Sequence, residues 1–165
     1  MSSTLRQGLR SIFCIDTSAL LHGWKRDYPP DVFSSIWRDL EELAEAGLLI
    51  APKEVLLELE RGGDDVYAWA KAREAMFLEP DNNVQKQVAQ IVNTYPSFVP
   101  EESRDGIWAD PYVIGLAVTK EATVVTGETL AGPNAKIVRI PDICTVLQVP
   151  YVAFLDLLRS SGRQY

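Results

Sequence analysis

The feature that most restricts this chain is an alternation of two kinds of apolar pattern. Short runs that are apolar throughout, too short for helices, are interleaved with longer stretches at helical spacing. Ile12–Ile15 has a β-branched residue at each end and stops at Asp16, Leu48–Ala51 is a second such run, Thr123–Thr126 a third and Lys136–Ile140 a fourth. Each reads as a strand buried on both faces. Between the first two, Val32, Phe33, Ile36, Trp37, Leu40, Leu43 and Ala44 fall at helical spacing over Asp31–Ala46, after Pro29–Pro30 and before a stop at Gly47. Pro52–Arg61 reads as a helix that ends at Gly62–Gly63, and Asp64 or Asp65 caps another, with Val66, Trp69 and Ala70 on its buried face. Val84, Val88, Ile91, Val92 and Tyr95 mark an amphipathic helix, and Tyr95–Gly106 reads as irregular. Asp110–Pro111 opens a helix whose Tyr112, Val113, Ile114, Leu116, Ala117 and Val118 are apolar nearly all round and therefore buried. A short helix from Pro141–Asp142 and a C-terminal one over Tyr151–Arg159 complete the pattern. Apolar strands separated by helices need cover on both faces. The prediction is an α/β fold: a three-layer α/β/α sandwich around a parallel sheet of four or five strands, Rossmann-like in architecture.

The 165 residues suit one domain over 11–165, preceded by a flexible tail over 1–10, with no repeat or linker. A hydrophobic share of 47% against 24% charged residues excludes disorder. No apolar run approaches the roughly 18 residues of a membrane span, and Asp16 interrupts the only mildly apolar stretch near the N-terminus, which argues against a secretory signal. Cys14 and Cys144 are far apart in sequence and read as reduced core residues of a cytoplasmic protein. The net charge of −7 argues against field-driven adhesion to nucleic acid or to anionic membranes. It still allows an enzyme that meets phosphates through bound metal ions.

The placement of the acids points to such chemistry. In an open parallel sheet the ligand crevice lies beyond the carboxyl ends of the strands. Asp16 ends the first strand, Glu128 follows the third by two residues, Asp110 opens the helix leading into that strand, and Glu58 lies on the helix after the second. Right-handed winding gathers these four at one edge. Carboxylates so gathered repel, and a divalent cation relieves the conflict; hard oxygen ligands favour Mg²⁺ or Mn²⁺. Few other chemistries need an acidic cluster without a histidine or cysteine set.

Each acid alone has an ordinary explanation. Asp16 before Thr17, Asp110 before Pro111 and Asp142 after Pro141 are all standard helix caps, and Asp142 is left outside the core site on that ground. Glu58 shares its helix with Glu54 and Glu60, as on a solvated face, and Glu128 beside Gly127 reads as a loop acid. Only their joint placement is informative. Other motifs are weak: there is no phosphate-binding glycine loop, Ser18 breaks the paired-aspartate pattern of phosphatases, and His22, the sole histidine, permits no histidine-based triad. Trp24, Trp37, Trp69 and Trp108 fit core packing better than base stacking, and Lys25–Arg26 and Lys71/Arg73 fit solvated surface.

With these residues in view, the chain resembles the PIN-domain (PilT N-terminus-like) ribonuclease superfamily over about Ile12 to Val149. Phe13-Cys14-Ile15-Asp16-Thr17-Ser18 is similar to the opening strand with its metal-binding aspartate and small hydroxyl residue, and Val55-Leu56-Leu57-Glu58-Leu59 to the second motif. Ala109-Asp110-Pro111-Tyr112-Val113 resembles the third and Val124-Val125-Thr126-Gly127-Glu128 the fourth. Trp37, Gly63–Trp69 and Ile140-Pro141-Asp142-Ile143-Cys144 look like a bacterial PIN-like branch.

The resemblance implies a metal-dependent ribonuclease hydrolysing RNA phosphodiester bonds, often the toxin of a toxin–antitoxin pair. Asp16 and Asp110 would hold Mg²⁺ or Mn²⁺, Glu58 would serve as a further ligand or water orienter, and Glu128 would complete the pocket. Thr17, Ser18 and Thr126 would hydrogen-bond and orient these acids. Glu128 stands where most relatives carry aspartate, so its extra methylene leaves open whether it meets a metal directly or through water. An antitoxin-type protein partner and a homodimer are further expectations of the family. The alternative is an inactive PIN-like or receiver-like binding module acting through a basic protein partner.

Overall fold

A computed structural model describes residues 11–63, 65–100, 106–132 and 134–165. The expected tail over 1–10 and Asp64 as a cap lie outside these. Five parallel strands, β1 (Phe13–Ile15), β2 (Leu49–Pro52), β3 (Phe77–Leu78), β4 (Thr123–Val125) and β5 (Tyr151–Val152), form one sheet in the order β3-β2-β1-β4-β5. The strands run outward from β1 to β3, and the chain then returns past β1 to β4 and β5. The strand order therefore reverses between β1 and β4, and an open sheet offers its crevice at that point.

The helices are α1 (Thr17–His22), α2 (Ser34–Glu45), α3 (Lys53–Gly62), α4 (Asp65–Lys71), α5 (Asn82–Thr94), α6 (Asp110–Lys120), α7 (Ile140–Leu147) and α8 (Phe154–Ser160). A π-helical turn, Gly23–Asp27, follows α1 directly. Right-handed crossovers put α2 to α4 on one face of the sheet and α5 to α7 on the other. The packing agrees: α6 lies across β1, β2 and β4 and touches α5 and α7, whereas α2 and α3 lie on β2. Val113, Ile114, Leu116 and Ala117 of α6 are all buried, as its unbroken apolar sequence requires. Helix α5 approaches it closely at Gly115, where a Cβ would meet Val88 Cγ2 at 3.1 Å and Val84 O at 3.4 Å.

Three helices end by one device, and each hands the chain to a strand. A residue in the left-handed region follows the last turn, and the next N–H reaches back to a carbonyl five residues earlier. After α2 the residue is Gly47 (φ 74°), and Leu48 N–H donates to Leu43 O at 2.9 Å. After α6 it is Glu121 (φ 52°), with Ala122 N–H donating to Ala117 O at 2.9 Å; after α7 it is Gln148 (φ 57°), with Val149 N–H donating to Cys144 O at 2.8 Å.

Trp37 and Trp69 fill the core and Trp24 packs against it, as expected, whereas Trp108 stands outside that core with its Nε1–H on Phe98 O at 3.1 Å. Trp24, Trp37 and Trp69 form an edge-packed cluster with centroids 4.7, 5.2 and 6.4 Å apart, and Phe154 of α8 joins it. Cys14 and Cys144 are buried free thiols, and desolvation pushes both well above the ordinary thiol range. Among the described residues no helix is long and apolar enough to cross a membrane.

Two readings of the sequence are corrected. Lys136–Ile140 is not a strand: Ile137 is 69% exposed, and the backbone N–H groups of Arg139 and Ile140 go to the carboxylates of Asp142 and Glu128 instead of to a ladder. The strand next to β4 is Tyr151–Val152, taken from the start of the expected C-terminal helix, which begins at Phe154. The remaining strand, β3, is only two residues long and carries no periodic signal.

Candidate functional site

Asp16 stands at the strand-order reversal and is built in from both sides. Its backbone N–H extends the β1–β4 ladder by donating to Val125 O at 2.9 Å, and its carboxylate caps α1 by accepting from Ala19 N–H at 2.7 Å. Ser18 Oγ lies 2.8 and 2.9 Å from the two carboxylate oxygens, and Thr126 Oγ1 donates to Oδ2 at 2.6 Å. Thr126 is itself fixed by its N–H on Val152 O at 3.1 Å. Asp16 is 1% exposed, and desolvation pushes its pKa up to about 6. The bonds from Thr126, Ala19 and Ser18 oppose that rise, because they favour the charged form.

Glu58 lies on α3, where its Oε1 accepts from Thr17 Oγ1 at 3.2 Å and from Ala109 N–H at 3.1 Å. It faces the site rather than the solvated side that Glu60 occupies. The bond from Ala109 ties Glu58 to the residue just before Asp110. Burial raises its pKa, against the lowering effect of these two donors.

Asp110 is the first residue of α6, and the ordinary explanation for it fails: Ala109 takes the cap position, with no side-chain cap bond. Burial first, and then the charges of Glu128, Asp16 and Glu58, push the Asp110 pKa up to about 8. Asp110 therefore lies within electrostatic reach of the other three predicted acids. A carboxyl raised so far by burial and like charges marks a candidate functional position.

Glu128 sits two residues beyond Thr126. Its N–H donates to Thr126 Oγ1 at 3.1 Å, and its Oε2 accepts from Ile140 N–H at 3.0 Å, so it clasps the start of α7. Asp142 acts as the expected cap, accepting from Arg139 N–H at 2.8 Å and Ala131 N–H at 3.2 Å, outside the cluster.

The hydroxyl residues thus divide their work: Ser18 and Thr126 hold Asp16, and Thr17 holds Glu58. Four carboxylates, those of Asp16 and Glu58 supported by hydroxyls, are a donor set that suits a hard divalent cation. As the side chains stand, no three carboxylate, histidine or cysteine groups among the described residues are close enough together to hold one.

Sequence reasoning did not place His22 in this neighbourhood. It follows Ser18 by four residues on α1, and that spacing puts both on one face of the helix, against Gly127.

Comparison with solved structures gives the same fold. The chain is similar to a chain in the crystal structure of VapBC2 from Rickettsia felis bound to a DNA fragment from their promoter, at 13% identity and a TM-score of 0.52, covering 87% of this chain and 98% of that one. No curated protein matches the sequence. The family pattern described as Domain of unknown function (DUF4411) matches residues 13–165, and the chain belongs to that family.

Proposed function

We propose that this protein is a metal-dependent ribonuclease of the PIN superfamily's bacterial branch, and the toxin of a toxin–antitoxin pair. The observation that carries the reading is Asp110, a carboxyl pushed up to about 8 by burial and by three other acids brought from separate elements to the sheet's switch point. Such a cluster is costly to a fold, and function is a reason to keep it. Asp16 and Asp110 would hold Mg²⁺ or Mn²⁺, Glu58 would add a ligand or orient water, and Glu128 would complete the pocket. A cation held there would supply an activated water and would offset the charge that builds on the phosphodiester.

The chain's own residues prepare that chemistry. Ser18, Thr126 and Ala19 N–H stabilise the charged form of Asp16 against the burial that raises its pKa to about 6. Asp110, raised to about 8 by burial and its acid neighbours, would have to give up its proton to serve as a ligand. Thr17 and Ala109 N–H aim Glu58. The bound charge also lets RNA approach a protein of net charge −7. The fold shared with a chain of the VapBC2 complex supports an antitoxin-type protein partner. A homodimer in the cytoplasm is part of the same proposal.

The test is Mg²⁺-dependent cleavage of structured RNA by wild type beside Asp16→Asn. Cleavage is expected from wild type alone; equal cleavage by both refutes the mechanism. One observation favours a second reading, a binding module without catalysis: Asp16 and Glu128 are already engaged by the protein's own donors, and among the described residues no three ligands are close enough to grip an ion. Calorimetry with Mn²⁺ separates the two, since a folded protein that takes up no Mn²⁺ supports the second.

A further inference from the structure

The turn that carries Glu128 is held by a steric interlock. Gly127 N–H donates to Ser18 Oγ at 3.0 Å, and Ser18 in turn donates to Asp16. On the same side, a Cβ at position 127 would lie 2.5 Å from His22 Nδ1, 3.1 Å from His22 Cε1 and 3.2 Å from Ser18 Oγ. A separation of 2.5 Å is inside any van der Waals contact, so the half-buried imidazole and a side chain at position 127 exclude each other.

The backbone that carries His22 is held on its C-terminal side. His22 ends α1, and the π-helical turn that follows is closed by Tyr28 N–H on Gly23 O at 2.8 Å. Gly23 is pressed against α8, where a Cβ would meet Phe154 Cε2 at 2.8 Å.

We propose that His22 is a positioning residue: its imidazole is the stop against which Gly127 closes, and the contact sets where Glu128 stands relative to Asp16 and Asp110. The inference rests on the reading that these acids act together on a divalent cation. Ser18 ties the turn to Asp16, His22 one helical turn further along the same face blocks its closer approach, and Glu128 then reaches Ile140. Without the imidazole the turn can shift toward α1 and carry Glu128 with it.

A size exchange tests this. Wild type, His22→Ala, Gly127→Ala and the double variant are titrated with Mn²⁺ by calorimetry, and their thermal midpoints are measured. Each single substitution is expected to weaken Mn²⁺ binding about 10-fold or more, the range for residues that support metal ligands. The double variant, in which the new methyl fills space left by the ring, is expected to recover most of that loss. Recovery of midpoint without recovery of affinity means a purely structural contact and overturns the proposal, as do singles that bind like wild type or losses that simply multiply.

A second measurement covers a Gly127→Ala protein that fails to fold. His22 is the sole histidine, so its imidazole proton signals are unambiguous in wild type. Bound Mn²⁺ should broaden them, and Asp110→Asn should abolish the effect. Signals untouched by bound Mn²⁺ overturn the proposal. If wild type takes up no Mn²⁺ at all, the ribonuclease reading falls and the inference with it; binding that ignores both substitutions removes the inference alone.

Discussion

Replacing Asp110 by asparagine should stabilise the metal-free protein. The Asp110 carboxyl titrates at about 8 in the fold, against a usual value of 3.8. The native state therefore holds a proton that the unfolded chain releases near pH 4. The sign follows: a carboxyl with a raised native pKa favours folding below the unfolded value, and that contribution is lost as pH rises through the native one. At pH 7 about three pH units separate the two states, each worth about 1.4 kcal/mol, so the full penalty is near 4 kcal/mol. Solvent reaches part of the carboxyl and screens it, which brings the expected gain for Asp110→Asn to about 1–3 kcal/mol. For a domain of this size that is about 3–10 °C in thermal midpoint. The assay is thermal unfolding of both proteins in chelator at pH 4, 5.5, 7 and 8. Midpoints should nearly coincide at pH 4 and diverge steadily in favour of Asp110→Asn up to pH 8. A variant less stable than wild type at pH 8, or a difference that does not grow with pH, refutes the electrostatic account of this pocket.

The same shifts govern metal uptake. Asp16 at about 6 and Asp110 at about 8 must both lose protons to bind a cation, so Mn²⁺ affinity should rise from pH 5.5 to 8 with proton release, measured by calorimetry in buffers of differing ionisation enthalpy. A flat affinity profile would contradict it. Thr126→Val removes the 2.6 Å hydroxyl bond to buried Asp16 and should cost about 1.5–3 kcal/mol at pH 7, with less cost at pH 4 where Asp16 is protonated; denaturant unfolding at the two pH values checks this. Gln148→Gly and Glu121→Gly place glycine at left-handed helix ends and should each raise the thermal midpoint by about 2–4 °C.

Much of this was legible because the physics behind it is local. An apolar run bounded by turn formers can be read from neighbours alone, and so β1, β2 and β4 and most of the helices stand where their periodicity puts them. The two-residue strands β3 and β5 have no period to read; their places come from pairing with β2 and β4. Lys136–Ile140 has the composition of a strand, yet Asp142 and Glu128 take its N–H groups, a long-range choice its own residues do not encode. In the site, the end of β1 and the start of α6 are marked locally, so Asp16 and Asp110 were visible, and so were the hydroxyls beside them. The clasp of Glu128 on Ile140 and the seat of His22 on Gly127 depend on how a loop folds back, and no spacing of residues announces either.

The most direct test of the central claim is a crystal of the protein grown at pH 8 with Mn²⁺, examined for anomalous scattering. A peak is expected between the carboxylates of Asp16 and Asp110, at about 2.1–2.3 Å from ligating oxygens, with Glu58 turned toward it. Density showing those acids still apart and the crevice without a peak, at Mn²⁺ concentrations well above millimolar, would contradict the account.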